Sequence, residues 1–150
     1  RPEDRFMPCA MVADDTTSIT VHQFDESTIN TVSAEHAAQF AGFGYGRQSS
    51  FTARAINFAT LCDEVGVRHP DVLCLDVEGM DLAILRAIDF ERNRPKLICV
   101  EVVQYLEDRT PVVDRAFAEF LLSKGYSKYA DTFINQIFVD ESVQARQRLI

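Results

Sequence analysis

The chain has 150 residues, of which 47% are hydrophobic and 25% are charged, a composition typical of one globular domain. Its net charge of −8, without a cluster of Lys and Arg, argues against a surface that follows nucleic-acid phosphates or an anionic membrane. No apolar run approaches the roughly 20 residues that cross a bilayer. We therefore predict neither a nucleic-acid partner nor a membrane partner.

The first 58 residues predict three strands and one short helix. Apolar runs and alternating apolar residues are typical of strands, and a serine before an apolar stretch is typical of a helix N-cap. Ser33 is such a serine. In chain order the predicted elements are a strand at 6–14, a more exposed strand at 18–24, a helix at 33–41 and a strand at 51–58.

From residue 51 onward predicted strands alternate with helices, the pattern of a largely parallel sheet with helical crossovers. The runs at 72–75 and 97–100 are apolar without alternation, which predicts strands that are buried on both faces. The further predicted elements are a helix that begins at Thr60 and ends near Gly66, a central strand at 71–78, a helix at 80–90, a strand at 95–103, a helix from Thr110 to Gly125, and an antiparallel pair at 126–133 and 135–140.

Acidic residues follow the two most apolar strands at the points where those strands end. Asp76 and Glu78 follow the first of them, and Glu101 follows the second. Ligands of parallel α/β sheets bind beyond the carboxyl ends of the strands, so we expect these acids at the functional edge. Asp76 and Glu78 are two residues apart and share a face if the strand stays extended. Asp81, in the first turn of the next helix, is expected only to complement the helix dipole.

The same acids leave a second interpretation open. Clustered carboxylate oxygens suit Mg²⁺, so Asp76, Glu78 and Glu101 could instead hold magnesium for phosphoryl transfer or hydrolysis. Such a site also needs a phosphate-binding loop, which the sequence does not show. No role is assigned to the three histidines, whose spacing does not suit a metal site: His22, His36 and His69.

The segment DVLCLDVEGMDLAILRAIDFERNRPKLICVE, residues 71–101, closely resembles the signature of FkbM-type S-adenosylmethionine-dependent methyltransferases. In that family a strand ends in Asp-Val-Glu-Gly, a helix with a Leu-Arg-Gly/Ala segment follows, and the next strand ends in Val-Glu. The segment CAMVADDTTSITVHQFDESTINT is similar to the family's third strand, its hairpin and its Asn-Thr loop. GYSKYADTFINQIFVD is similar to the antiparallel pair that ends such sheets. One departure is Cys74-Leu75, where the family usually has Lys-Ile.

The resemblance implies an α/β fold, a partial Rossmann-like class I methyltransferase sheet that is mostly parallel and ends in an antiparallel strand pair. The family's cofactor half, with its glycine-rich loop and ribose-binding acid, precedes the segments that match here. We therefore expect residues 1–150 to form a single, N-terminally incomplete methyltransferase domain that lacks the cofactor-binding first strands. This fragment alone is expected to be inactive.

The function implied by the resemblance is transfer of a methyl group from S-adenosyl-L-methionine to a hydroxyl of a small-molecule or carbohydrate acceptor, such as a sugar or a natural product. A carboxylate within hydrogen-bond reach of that hydroxyl can act as general base. Asp76 is the first candidate for this role, and Glu78 is the second. The other expected roles are acceptor binding by Glu101, Asn30 and Thr31, and contact of Asp14 with the adenine of the cofactor.

The four cysteines form no CxxC pair, which favours buried free thiols in a reducing compartment, the cytoplasm, over a disulfide or a zinc site. The family's sheet places further strands beside the one at 71–78. Without them, that strand has an unpaired edge and an apolar surface, which invites aggregation. We therefore expect self-association through the exposed sheet edge, and a non-catalytic fragment is the third interpretation.

Overall fold

The computed structural model describes residues 2–77, 79–106, 108 and 110–143, and within these ranges the chain folds into three β-sheets and four α-helices. The first sheet has three strands in the order β1-β3-β2, with β1 parallel and β2 antiparallel to β3. Its elements and the segments between them are β1 (Ala10–Met11), β2 (Ser18–Phe24), a 3₁₀ helix (Ser27–Ile29), helix α1 (Ala34–Gly42) and β3 (Arg47–Ile56).

The second sheet has four strands in the order β4-β5-β9-β8, and the third is a two-stranded hairpin of β6 and β7. The two carboxyl-terminal strands are antiparallel to one another, as predicted, and β9 lies between β5 and β8. The elements are α2 (Phe58–Val65), β4 (Val72–Leu75), α3 (Asp81–Ala87), β5 (Leu97–Glu101), β6 (Val103–Tyr105), β7 (Pro111–Val113), α4 (Ala116–Ser123), β8 (Tyr126–Asp131) and β9 (Asn135–Asp140).

The predicted mostly parallel sheet is not what the described residues form. Only two of their six strand pairs, β1 with β3 and β4 with β5, are parallel. A parallel pair needs a long crossover, and β4 and β5 have one because α3 lies between them. The short connections between β6 and β7 and between β8 and β9 permit only antiparallel pairing. The fold is therefore mixed α/β.

The core lies between one face of the four-stranded sheet and the helices α2, α3 and α4. Each large apolar side chain buried there stabilises the fold by roughly 1.5–3 kcal/mol. The strand residues of this core are Leu73, Leu75, Ile98, Val100, Tyr126 and Phe138, and the helix residues include Phe58, Cys62, Ile84, Leu85, Phe117 and Leu121.

The opposite face of the four-stranded sheet is open, which contradicts the prediction that 72–75 and 97–100 are buried on both faces. Burial alternates along β4, so that Leu73 is buried whereas Val72 is 59% exposed and Cys74 is exposed. The core helices pack on one side of the sheet, and the described residues bring no comparable layer to the other. All four cysteines are free thiols, but the prediction that they are buried holds fully only for Cys62: Cys9 and Cys99 are half-buried, and Cys74 is exposed.

Several element boundaries differ from prediction because tertiary pairing overrides local signals. The helix predicted from Thr110 begins only at Ala116, since Pro111–Val113 pairs with β6. Helix α2 is capped by Asn57, whose Oδ1 accepts a hydrogen bond from the N–H of Thr60, the residue expected to be the cap. Among the described helices, none has the length and apolar character needed to cross a bilayer.

Candidate functional site

Two cavities lie at the carboxyl ends of β4 and β5. The larger, of about 980 Å³, is lined by residues of α1, β6 and the turn after β4, and we call it the α1 cavity. The smaller, of about 710 Å³, is lined by β1, β3 and the first residues after β4, and we call it the β3 cavity. The predicted site residues are divided between these two cavities.

Asp76 is exposed and lines the β3 cavity together with Asn30 and Thr31. Asn30 is held by its Oδ1, which accepts a hydrogen bond from the N–H of Phe24 at 3.0 Å. Thr31 is buried and is fixed to β2, since its N–H donates to the carbonyl oxygen of His22 at 3.2 Å. The structure thus brings the predicted base and two predicted acceptor-binding residues to one cavity.

The other predicted site residues lie elsewhere. Glu101 lines the α1 cavity, so it does not share a cavity with Asp76. Asp14 lines neither of the two described cavities; it is exposed, and its Oδ1 accepts a hydrogen bond from the N–H of Thr16 at 3.0 Å. The hydroxyl and N–H of Thr16 lower the pKa of this carboxyl. Glu78 lies outside the described residues.

Asp81 does more than complement a helix dipole. Its carboxylate is buried, and it accepts hydrogen bonds from the N–H of Val77 at 3.1 Å and of Gly79 at 3.3 Å. Burial raises the pKa of this carboxyl, hydrogen bonds from its own backbone N–H and from those of Val77 and Gly79 partly offset that rise, and the charge of Asp76 adds to it. Asp81 therefore fixes the turn that follows Asp76, and it also lines the α1 cavity.

Gly79 brings His36 to the same turn. Gly79 has a φ of 97°, which favours glycine, and a Cβ at this position would lie 2.1 Å from Cε1 and 2.3 Å from Nδ1 of His36. The imidazole thus occupies the space of the missing side chain, and it lines the α1 cavity with Glu101. Sequence reasoning assigned His36 no role, because its contact with Gly79 depends on how α1 packs. The only feature of the sequence that could have pointed to this contact is Gly79 itself.

A comparison with known families decides the class of protein. The family profile described as the methyltransferase FkbM domain matches residues 1–128. The chain belongs to the FkbM methyltransferase family. A search of curated proteins and a search of solved structures found no match. The matched part of this FkbM domain contains every residue that lines the α1 cavity and the β3 cavity, whereas β9 lies beyond it.

In this FkbM domain the α1 cavity combines polar and aromatic walls. Helix α1 begins at the N-cap Ser33, whose Oγ accepts a hydrogen bond from the N–H of His36 at 3.2 Å. Gln39 ties the same helix to β6, because its Nε2 donates to the carbonyl oxygen of Tyr105 at 2.6 Å. Phe40 and Tyr45 make an edge contact with ring centroids 6.4 Å apart. Such a lining can bind a hydroxylated ring by hydrogen bonds and by stacking.

A metal centre has little support in the described part of the FkbM domain. Within the described ranges no group of three or more His, Cys, Asp or Glu residues is arranged to hold a metal ion. Asp76 and Glu101, two of the three acids considered for magnesium, face different cavities. The geometry instead places Asp76 in the β3 cavity and Glu101, together with Glu35 and Asp81, in the α1 cavity.

Proposed function

We propose that this FkbM domain takes part in S-adenosylmethionine-dependent O-methylation of a hydroxyl on a sugar or natural-product acceptor. The observation that carries the proposal is the position of Asp76. It is the first residue after β4 in the family's Asp-Val-Glu-Gly segment, it is exposed, and it faces the β3 cavity with Asn30 and Thr31. A carboxylate in that position is suited to hold or deprotonate a hydroxyl at the edge of the sheet.

The residues present fit the methyl end of the cofactor. S-adenosylmethionine, when bound, supplies an electrophilic methyl group on a positively charged sulfur. The carboxylate of Asp76 would attract that positive charge, and the β3 cavity also has apolar lining residues, including Met11, Val21 and Phe51. Asp14 remains a candidate for contact with the adenine, on the family resemblance alone.

The strand order supports a class I methyltransferase sheet. Strand β9 runs antiparallel to β5 and separates it from β8, the arrangement expected of the pair that ends such sheets. Strand β4 has β5 as its only described neighbour, so the sheet can be extended on the other side. We propose that the family's cofactor-binding strands complete the sheet there, and that residues 1–150 without them are inactive.

In the proposed reaction the acceptor lies between the two cavities. Asp76 takes the proton of the acceptor hydroxyl, which makes the oxygen more nucleophilic, and Glu78 is the second candidate for this role. Glu101 and His36 in the α1 cavity bind other polar groups of the acceptor and orient it. We place this reaction in the cytoplasm, in agreement with the free thiols. A magnesium-dependent phosphoryl transferase is less well supported, because Asp76 and Glu101 line separate cavities.

The test is transfer of a radiolabelled methyl group by the full-length protein that contains this chain, assayed against glycosides and hydroxylated natural products. Asp76→Asn is expected to lower the rate by about 10²- to 10⁴-fold, the usual cost of losing a general base. Asp71→Asn is the matched control: Asp71 is an exposed acid just before β4, paired with Lys96. Near-normal activity of Asp76→Asn, with the thermal midpoint of both variants unchanged, would rule out the role of Asp76.

A further inference from the structure

Cys74 and Cys99 are direct neighbours on the open face of the four-stranded sheet. They occupy opposed positions in the parallel register of β4 and β5. Adjacent strands lie about 4.8 Å apart, and opposed residues of parallel strands project to the same face. Both residues are free cysteines, and their side chains are close enough to share a hydrogen bond. The two thiols therefore form a pair that a single atom can bridge.

The pair is also open to reagents. Cys74 is exposed and Cys99 is half-buried. The other two cysteines lie elsewhere: Cys62 is on the buried face of α2, in the core, and Cys9 immediately precedes β1. Burial raises the pKa of the Cys99 thiol, and the adjoining Cys74 raises it further, so Cys99 does not readily ionise.

We propose that Cys74 and Cys99 form a dithiol site that binds one soft, thiophilic centre, of which trivalent arsenic is the representative, through both sulfurs at once. Soft ligands such as thiolates favour soft centres. With phenylarsine oxide the reaction is balanced without an oxidant. Two arsenic–sulfur bonds form, the arsenic–oxygen double bond breaks, and the two thiol protons leave with that oxygen as water.

The pair of Cys74 and Cys99 lies close to the carboxyl ends of β4 and β5. Cys74 lies two residues before Asp76, and Cys99 lies two residues before Glu101. A bridge between the sulfurs would link β4 to β5 immediately before the carboxylates of the β3 cavity and the α1 cavity. The dithiol site is nevertheless independent of the proposed methyl transfer, because its evidence is the strand register and the exposure of the thiols.

The test is titration of the dilute, reduced chain with phenylarsine oxide, followed by intact-mass spectrometry. One equivalent is expected to bind and to survive a wash with a monothiol, whereas a dithiol removes it. Bridging raises apparent affinity over attachment to one thiol by about 10²- to 10⁴-fold, the usual gain from a second linked contact. Cys74→Ser and Cys99→Ser are each expected to lose the wash-resistant adduct. Cys9→Ser and Cys62→Ser, the matched controls, are expected to keep it.

Proteolysis of the wild-type adduct makes the result independent of how the variants fold. Arsenic is expected to join the peptide that contains Cys74 to the peptide that contains Cys99. No wash-resistant adduct on the wild-type chain, or an adduct that maps to Cys9 or Cys62, would overturn the proposal. None of these outcomes depends on methyl transfer, so the dithiol site and the proposed function stand or fall separately.

Discussion

The imidazole of His36 occupies the space that any side chain on residue 79 would need, with its Cε1 atom 2.1 Å from the position of a Cβ. Helix α1 can pack against the turn after β4 in this way only because that residue is Gly79. The N–H of the same glycine donates to the buried carboxylate of Asp81. The turn beside Asp76 is therefore fixed from two sides, by an imidazole and by a carboxylate.

Gly79→Ala is expected to destabilise the protein by more than backbone strain alone. A non-glycine residue at a φ of 97° costs on the order of 1–3 kcal/mol. In addition, the new methyl group must displace the imidazole of His36 from its place against the turn. The measurement is the free energy of unfolding from urea titration of each purified variant.

Two further variants separate the strain from the clash. Gly44 has a similar φ of 92°, but a Cβ there meets nothing within 4 Å, so Gly44→Ala reports the strain alone. Gly79→Ala should therefore cost more than Gly44→Ala. In the background of His36→Ala the excess should disappear. An equal cost for both glycine variants would show that His36 does not hold the position described.

Asp81→Asn is expected to change how stability depends on pH. Burial raises the pKa of Asp81 above its unfolded value, so the folded state binds more protons than the unfolded state in the interval between the two pKa values. The resulting stabilisation is fully present below the unfolded pKa and is lost as the pH rises through the folded pKa. The difference in unfolding free energy, wild type minus Asp81→Asn, should fall as the pH rises above the unfolded pKa of about 3.9.

The ion pair of Arg94 and Asp140 should show the opposite pH dependence. The Arg94 Nε lies 2.7 Å from Oδ2 of Asp140, and its Nη2 lies 3.2 Å from Oδ1. Burial by itself would raise the pKa of Asp140, but hydrogen bonds from Arg94 and Ser142 outweigh it and lower the pKa. The stabilisation is therefore present above the unfolded pKa and is lost as the pH falls through the lowered value.

Asp140→Asn is accordingly expected to cost about 1.5–3 kcal/mol at neutral pH, because a bidentate, charge-assisted contact is lost. The lower end is expected, since the Arg94 side chain is 27% exposed and solvent screens the pair. The control is Asp71→Asn, which removes the exposed pair with Lys96 and should leave stability within experimental error. Urea titrations at neutral and acidic pH provide both comparisons, and equal costs for the two variants would contradict the assignment.

Local signals predicted the parts of the fold that depend on near neighbours. Strand β2 has the predicted bounds, Ser33 caps α1, and the antiparallel pair β8 and β9 lies where its turn and alternation indicated. Contacts between residues far apart in the sequence determine the features that were predicted wrongly. The β-branched residues of Pro111–Val113 join β6 instead of starting a helix. The open face of β4 was missed because an apolar run reports hydrophobicity and not which layers are present to cover it.

For the candidate site, too, the sequence predicted some residues and missed those whose role depends on distant contacts. The position of Asp76 at the end of β4 followed from the Asp-Val-Glu-Gly segment, and its cavity with Asn30 and Thr31 brings together residues chosen from sequence. The separation of Glu101 into the α1 cavity depends on where α1 packs. His36 was missed for that reason, and Asp81 was underrated because burial is a property of the whole fold.

Residues 1–150 are expected to self-associate through the edge and open face of β4. Val72 is 59% exposed there, and β4 has β5 as its only neighbour among the described strands. Val72→Lys should weaken the association, because a charged side chain on an edge strand opposes pairing with another strand. Val67→Lys is the control, since Val67 is a 42% exposed valine that lies outside any strand. Sedimentation velocity over a range of concentrations measures the effect. A wild-type chain that stays monomeric throughout, or equal effects of the two substitutions, would show that β4 is not the surface of association.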